Sequence, residues 1–185
     1  MKKFILLSLV CLTSLTISAQ NFGLISGVSV ANLSSTESNS TIDDDPRIGV
    51  FLGVVSEFGD ENIKLSTELI FNQKGNDSQI NFNSIDLGLK GNFYFNDEIC
   101  LNIGPSIGYL LSGLADSGVS GLEKIDNWDD FNNRLDFSAC FGISYKINDL
   151  LTAGYSYKTG MSSILSDTDL KTNSSNISIA YIFEY

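Results

Sequence analysis

The sequence predicts an all-β fold in which eight antiparallel strands run up and down around a closed barrel. Two observations predict it. Apolar and polar residues alternate with a period of two in eight separate segments, and the connections between them alternate between short turns and longer polar stretches. The composition agrees with one folded β-rich domain, because 185 residues include 16 Gly, 12 Phe and 7 Tyr but only 2 Pro.

The predicted strands follow one another through the whole chain after residue 20. They are Asn21–Leu33, Arg47–Phe58, Ile63–Lys74, Ser84–Phe95, Ile99–Leu111, Arg134–Ile147, Leu150–Met161 and Asn176–Tyr185. Tight turns are predicted at Gly59–Asn62, Asn96–Glu98 and Asn148–Asp149. The longer connections are Ser34–Pro46, Gly75–Asn83, Ser112–Asn133 and Ser162–Ser175. Eight strands place both termini at the end of the barrel that carries the short turns.

The first 19 residues are typical of a secretory signal peptide. Lys2 and Lys3 precede an apolar run, Phe4–Ile17, and Ala19 is a small residue suited to cleavage. The alternative is an N-terminal anchor helix, but the run is shorter than the ~20 residues that a membrane span needs. We therefore predict a signal peptide over residues 1–19 and a barrel domain over residues 20–185. Removal of the two lysines changes the formal net charge from −11 to −13.

The two faces of the predicted strands differ in size and charge. One face is bulky and uncharged within the strands: it carries Phe22, Leu24, Val28, Val30, Ile48, Val50, Leu52, Val54, Ile63, Leu65, Leu69, Phe71, Ile85, Leu87, Leu89, Phe93, Phe95, Ile99, Leu101, Ile103, Ile107, Tyr109, Leu135, Phe137, Phe141, Ile143, Tyr145, Leu151, Tyr155, Tyr157, Ile177, Ile179, Tyr181, Phe183 and Tyr185. The opposite face carries ten of the 16 glycines and most of the charges. An eight-stranded interior is too narrow for the bulky face.

These faces predict a transmembrane barrel with its apolar side chains in lipid. A single Lys or Arg at the lipid midplane would cost about 2–4 kcal/mol, which explains the uncharged bulky face. The alternative, a soluble lipocalin-like ligand-binding barrel, requires apolar residues inside and charges outside. An exported chain with this pattern is predicted to lie in the outer membrane with its termini in the periplasm, and outer membrane lipid is its first partner.

The interior charges are predicted to pair with one another, because buried charges must be compensated. We single out Glu68, Lys90, Arg134 and Asp136 as a structural network of salt bridges that plugs the lumen. The alternative is a narrow polar or proton path.

Two cysteines and one proline raise separate structural questions. Cys100 and Cys140 lie on the inner face of neighbouring strands, and the sequence permits a disulfide between them or two buried free thiols. Pro105 lies inside the fifth strand, where it removes a backbone donor. We expect a β-bulge there, formed with Gly104.

Composition excludes several functions. The chain has no histidine, which removes Ser-His-Asp and Cys-His catalysis, and we expect no enzyme activity, cofactor or metal site. A pI near 4.2 disfavours nucleic acid as a partner. Asp43–Asp45, Asp126, Asp129 and Asp130 lack the spacing of a calcium loop, and they predict a solvated acidic rim on the external loops.

The last strand suggests a partner for assembly. Ile177, Ile179, Tyr181 and Phe183 alternate up to an aromatic last residue, Tyr185. Outer-membrane barrels commonly end in this way, and we expect the barrel-assembly machinery to recognise this strand.

Several motifs resemble the PorT-like outer-membrane β-barrel family, whose fold is an OmpA/OmpX-type eight-stranded barrel. Glu68–Gly75 (ELIFNQKG) resembles its third strand, Gly104–Tyr109 (GPSIGY) its fifth, and Ile85–Phe95 its fourth. The family often has Pro where Gly88 stands and Arg where Gly154 stands. The resemblance implies an outer-membrane barrel of varied role rather than an enzyme.

Taken together, the residues predict an integral outer-membrane barrel with a structural or interaction role, such as adhesion, surface masking or membrane integrity. Its partner would then be an extracellular protein. The alternatives are a component of a protein secretion assembly, as the resemblance suggests, and a narrow channel.

Overall fold

The computed structural model describes residues 21–35, 46–60, 62–75, 80–116, 122–124, 134–163 and 170–183. Within these ranges the chain forms nine strands: β1 (Asn21–Ser35), β2 (Arg47–Gly59), β3 (Ile63–Gly75), β4 (Ile80–Tyr94), β5 (Ile99–Asp116), β6 (Leu122–Lys124), β7 (Leu135–Lys146), β8 (Leu151–Gly160) and β9 (Leu170–Phe183). No helix in the described ranges is long and apolar enough to cross a membrane. The predicted signal peptide and Tyr185 lie outside these ranges, as do Asp43–Asp45, Asp126, Asp129 and Asp130.

Eight of these nine strands close into the predicted antiparallel barrel. Each strand from β1 to β5 pairs with the next, β5 pairs with β7, β7 with β8, β8 with β9, and β9 returns to β1. The short strand β6 pairs only with Leu114–Asp116 at the far end of β5, outside the ring. It was not predicted, because three residues are too few to show an alternation.

The predicted short turns at Asn96–Glu98 and Asn148–Asp149 form, and both are stabilised in the same way. The Asn96 Oδ1 accepts hydrogen bonds from the backbone N–H groups of Glu98 (3.0 Å) and Ile99 (2.6 Å). The Asn148 Oδ1 accepts in the same way from Leu150 (2.9 Å) and Leu151 (2.8 Å). An asparagine side chain that accepts from residues two and three positions later stabilises a tight turn. We refer to this end of the barrel as the short-turn end and to the opposite end as the long-connection end.

The orientation of the two faces is confirmed. Phe93 and Phe141 point outward and are 44% and 43% exposed, whereas Lys90 and Asp136 point inward and are 7% and 0% exposed. The soluble lipocalin-like alternative is therefore wrong, because it requires the opposite arrangement. An apolar outer surface of this kind suits a lipid environment.

Three strands extend at least four residues further toward the long-connection end than predicted. β4 begins at Ile80, β5 continues to Asp116 and β9 begins at Leu170. In the added part of β9 both faces are polar, as in Thr172 and Asn173. The alternation of apolar and polar residues is absent there, and the neighbouring strand β1 holds the segment in the sheet through backbone pairing.

The bulge expected at Pro105 is not present. Pro105 points outward, is paired with Ala139 on β7, and the register between β4 and β5 is the same on both sides of it. The proline removes a donor without adding a residue, so the register does not need to shift. The irregularity lies instead between Asn83 and Ser84 on β4.

Gly104 and Gly88 offer a matched test of how closely the strands pack. A Cβ on Gly104 would collide with the Leu89 carbonyl oxygen, whereas a Cβ on Gly88 would first meet Glu68 Oε2 at 3.7 Å, an ordinary contact. We expect Gly104→Ala to destabilise the barrel by about 1–3 kcal/mol and Gly88→Ala to have little effect. Urea titration of the refolded barrel in detergent micelles, read by its folded gel mobility without heating, measures both. Equal midpoints for the two variants would contradict the close approach at Gly104.

Candidate functional site

Polar side chains converge in the interior of the barrel, where the period-two alternation directs the even-numbered residues of β3 and β4. Glu68 and Lys90 form the first ion pair, with the Lys90 Nζ 2.7 Å from the Glu68 Oε2. Glu68 lies opposite Gly88 in the register, so the pair is diagonal across two neighbouring strands. Both side chains are buried.

A second group of charges, the inner cluster, consists of Lys74, Asp86, Asp136 and Lys158. The Lys74 Nζ lies 3.0 Å from the Asp86 Oδ1 and 2.9 Å from the Asp136 Oδ2. The Lys158 Nζ lies 3.3 Å from the Asp86 Oδ2. These residues come from β3, β4, β7 and β8, and all four are buried. Two positive and two negative charges balance one another, which is what buried ions require.

Hydroxyl groups complete the inner cluster. The Thr172 Oγ1 donates a hydrogen bond to the Asp136 Oδ2 (2.9 Å), and the Ser84 Oγ donates to the Asp86 Oδ1 (2.8 Å). With Thr172, a fifth strand, β9, contributes to the same level of the barrel. The cluster therefore ties together strands that are not neighbours in the sheet.

The four residues predicted as one lumen network do not form one. Glu68 and Lys90 pair with each other, and Asp136 belongs to the inner cluster, where its partner is Lys74. Arg134 precedes β7, is partly exposed, and its carbonyl accepts a hydrogen bond from the Leu110 N–H (2.8 Å). Salt bridges between distant strands depend on closure of the barrel, and the sequence does not reveal which residues then share a level.

Sequence reasoning missed three members of the inner cluster: Lys74, Asp86 and Lys158. A signal was present, because all three occupy the charged face of their strands. The sequence did not show which residue each of them pairs with, because partners such as Lys74 and Asp136 are 62 residues apart in the chain.

The interior also contains an apolar wall that the sequence did not predict. Its members are Ile25, Phe51, Val55, Ile70 and Ile182, from strands β1, β2, β3 and β9. The predicted outward direction of the bulky face therefore does not account for these five side chains. These side chains occupy positions on the inner face at which the sequence has neither a glycine nor a charged residue.

A cavity of about 70 Å³ lies between this apolar wall and a polar wall on the other side. Lys90, Asn102, Ser144 and Ser156 contribute to the polar wall. Toward the short-turn end, the interior widens into a vestibule of about 670 Å³. Glu57 lines both spaces. At the vestibule, the Lys64 Nζ lies 3.6 Å from the Glu57 Oε2 and 5.2 Å from the centre of the Tyr94 ring.

Three acceptor atoms in this part of the interior have no protein partner within the described residues: Asn72 Oδ1, Asn176 Oδ1 and Asp136 Oδ1. Asn72 and Asn176 line the 70 Å³ cavity. Asp136 lines a smaller space of about 10 Å³ beside the inner cluster, which suits a single water molecule. Buried acceptors without a partner carry a desolvation cost.

The disulfide permitted by the sequence is not formed. Cys100 lies opposite Ser144 in the register and Cys140 lies opposite Gly104, so the two are offset by four residues along neighbouring strands. At about 3.3 Å per residue, this offset of about 13 Å far exceeds the Cα separation of a disulfide. Both cysteines are buried free thiols in the described part of the chain.

The interior chemistry is that of ion pairing and hydrogen bonding. Among the residues with described positions, no group of three or more His, Cys, Asp or Glu side chains is placed to hold a metal ion. Asp86 and Asp136 are close together, but the Lys74 ammonium lies between them and pairs with both.

A closed antiparallel ring with apolar residues outside and paired charges inside defines the class of transmembrane β-barrels. The chain belongs to the outer membrane protein β-barrel domain family, which it matches over residues 4–183. Its location is accordingly the outer membrane, with lipid around the barrel. No curated protein matches the sequence.

Solved structures of outer-membrane proteins share this fold. Ail, the attachment invasion locus protein of Yersinia pestis, is 14% identical with a TM-score of 0.57, and the match covers 89% of this chain and 99% of Ail. Neisserial surface protein A is 11% identical with a TM-score of 0.58, over 88% of this chain and 97% of that protein. Ail in complex with the heparin analogue sucrose octasulfate gives 15% identity and a TM-score of 0.52, over 88% and 98%. At these identities the similarity concerns the fold alone.

Substitution of Lys74, with Lys64 as the control position, tests whether the inner cluster stabilises the barrel. Lys74→Met leaves Asp86 and Asp136 buried without their shared cation, and we expect a loss of about 3–5 kcal/mol in the free energy of unfolding. Lys64→Met removes a partly exposed pair with Glu57, and we expect a loss of about 1 kcal/mol or less. Urea titration of both refolded variants measures the difference. If Lys74→Met unfolds no more easily than Lys64→Met, the cluster does not have this role.

The two native cysteines report which part of the interior is reached by solvent. Cys100 lines the vestibule, whereas Cys140 is fully buried. We expect iodoacetamide to modify Cys100 faster than Cys140 in the folded barrel, and both at similar rates in denaturant. Peptide mass mapping reads each thiol separately. Equal rates in the folded state would show that the interior opens beyond the level of Lys90.

Proposed function

We propose that this protein is a non-enzymatic and non-conducting outer-membrane barrel that acts through its long connections at the cell surface. The single observation that supports a non-conducting barrel is the inner cluster. Its four buried charges come from four strands and meet across the interior, so an ion or solute in transit would have to break their pairing. The same pairing leaves the interior carboxylates occupied by lysines, and the chain has no histidine, so catalysis has no support.

The long connections supply a chemical reason for surface interaction. All four join strands at the same end of the barrel, and residues 36–46, 76–79, 117–134 and 161–169 together contain 11 of the 22 acidic residues but only two basic ones, Lys124 and Arg134. Such an excess of negative charge favours a partner with a basic surface. The name of Ail refers to attachment, and that protein has been solved with a polyanion. We propose the opposite charge preference here.

The proposal includes the topology that the sequence predicts. Cleavage after Ala19 would leave both termini in the periplasm, and recognition of the last strand, ending at Tyr185, would deliver the chain to the barrel-assembly machinery. The long connections would then face the outside of the cell. A role in a protein secretion assembly, which the PorT-like resemblance implies, makes a different prediction about neighbours.

Photo-crosslinking on intact cells tests this function. A photo-crosslinking amino acid at position 44 or 129 should capture a basic extracellular or cell-surface protein, while the same group at Asp97, in a short turn, should capture periplasmic neighbours. Recovery of secretion subunits from positions 44 and 129 would favour the secretion assembly instead.

Planar-bilayer recording of the purified barrel serves as the second arm of this test. We expect no discrete conductance from the wild-type protein, because the inner cluster remains paired. Discrete and reproducible conductance steps would contradict the non-conducting barrel and support the channel.

A further inference from the structure

We propose that the outer face of β8 and β9 binds one membrane lipid, whose phosphate group lies against a polar gap in the apolar surface. We refer to this gap as the notch and define it by Thr159 on β8 and by Lys171, Asn173 and Ser175 on β9. The notch lies at the long-connection end, so in the topology proposed above its lipid belongs to the outer leaflet. Only that choice of leaflet rests on the proposed function.

The apolar outer surface is not equally tall on all sides of the barrel. On β7 and the turn after it, outward side chains are apolar from Leu135 to Ile147, over about 40 Å of strand. On β9 they are apolar only from Ile177 to Phe183, over about 20 Å. At a strand tilt of about 40°, these lengths give heights of about 30 Å and about 15 Å. Since a membrane barrel needs an apolar band about 25 Å tall, β9 is about 10 Å short.

Polar side chains occupy the missing height on β9. Ser174 and Asn176 are buried in the interior, so the alternation directs Lys171, Asn173 and Ser175 outward. All three are half-buried. Polar groups in contact with lipid tails are costly, because the tails offer no hydrogen-bond partner. The headgroup layer is therefore expected to lie lower against β9 than against β7.

Two tyrosines on β8 agree with this lower level. Tyr155 and Tyr157 point outward and lie opposite Ile143 and Phe141 of β7 in the register. The Tyr155 hydroxyl donates a hydrogen bond to the Ser175 Oγ (3.4 Å). Tyrosine is enriched where lipid tails meet headgroups. The change from two apolar residues on β7 to two tyrosines on β8 thus indicates that the tails end lower at β8.

The notch is narrow enough to hold a single lipid. It spans two strands, which together are about 10 Å wide. On one side, β1 carries the outward Val30, which pairs with Ser175 in the register and is 42% exposed. On the other side, β7 carries the outward Phe137, which is 43% exposed. Apolar side chains therefore border the polar gap on both sides, and the lipid tails of neighbouring molecules cover them.

The chemistry of the notch favours a phosphate group. Lys171 supplies a positive charge, and the described outward residues of β8 and β9 include no acidic side chain. The Asn173 Nδ2 donates one hydrogen to the Ser34 Oγ (2.8 Å) and retains a second one. The Ser175 hydroxyl accepts from Tyr155 and keeps its own hydrogen to donate. A phosphate accepts such hydrogen bonds and attracts the lysine, whereas a second copy of the barrel would bring apolar side chains against these groups.

Spin labels measure the depth of the notch in a bilayer. Ser175→Cys and Ala139→Cys are made separately in a background that carries Cys100→Ser and Cys140→Ala. Both labelled positions point outward, and each lies eight residues from the short-turn end of the apolar run on its own strand. We expect the label at 175 to be more accessible to a water-soluble nickel chelate, and the label at 139 to oxygen dissolved in the tails. Equal accessibility at the two positions would overturn the notch.

Short-chain lipids in maltoside micelles identify the ligand, because this detergent contains no phosphate. The refolded barrel is titrated with dihexanoyl phosphatidic acid, dihexanoylglycerol or inorganic phosphate, and NMR follows the amide groups of Asn173 and Ser175. We expect saturable shifts with phosphatidic acid alone. Absence of saturation by phosphatidic acid, or equal saturation by either of the other two compounds, would overturn the lipid phosphate site.

One substitution tests the role of the positive charge. Lys171→Met should weaken the binding of phosphatidic acid about tenfold, because it removes the cation that attracts the phosphate. Lys146→Met, at the short-turn end where Lys146 pairs with Asp149, is the matched control and should bind as wild type. Unchanged binding by Lys171→Met would overturn the site.

The comparison of the three compounds uses the wild-type protein, so it decides the question even if a variant fails to fold. Failure of the notch would not affect the surface role of the long connections, which the crosslinking experiment tests separately.

Discussion

Lipid surrounds the barrel, and a charge that faces lipid has no counter-ion and no water to bind. The strands of this protein place their charged side chains in the interior for that reason. The interior of an eight-stranded barrel is narrow, so the charges placed there lie close together and must be of opposite sign. Lys74 between Asp86 and Asp136 is the direct consequence of this constraint.

The constraint acts differently along the barrel axis. Near the long-connection end, the inner cluster and the fully buried side chains of Phe82 and Leu110 occupy the interior. Nearer the short-turn end, the Glu68–Lys90 pair and the apolar wall line a cavity. The interior of the barrel is thus filled near the long-connection end and contains a cavity nearer the short-turn end.

Much of the fold could be predicted because its determinants are local. The orientation of Phe93 and Lys90 follows from alternation within one strand, and the turns at Asn96 and Asn148 follow from the conformations that asparagine favours. The extended part of β9 could not be predicted, since it is held by pairing with β1 and lacks an alternation of its own. The prediction of a bulge at Pro105 was wrong because the sequence shows the missing backbone donor, but it does not show that the neighbouring strand keeps its register beside the proline.

The sequence by itself determined that this protein is a barrel with lipid outside and ions inside, because alternation assigns each side chain to a face and the size and charge of the two faces decide which one meets lipid. The partners of those side chains were decided by tertiary structure. The register between strands and the point at which the ring closes decide which side chains meet. They pair Asp136 with Lys74 rather than Arg134. They also separate Cys100 from Cys140 and bring Ile25 and Phe51 together in one wall. These are properties of several segments together, and a single segment carries no record of them.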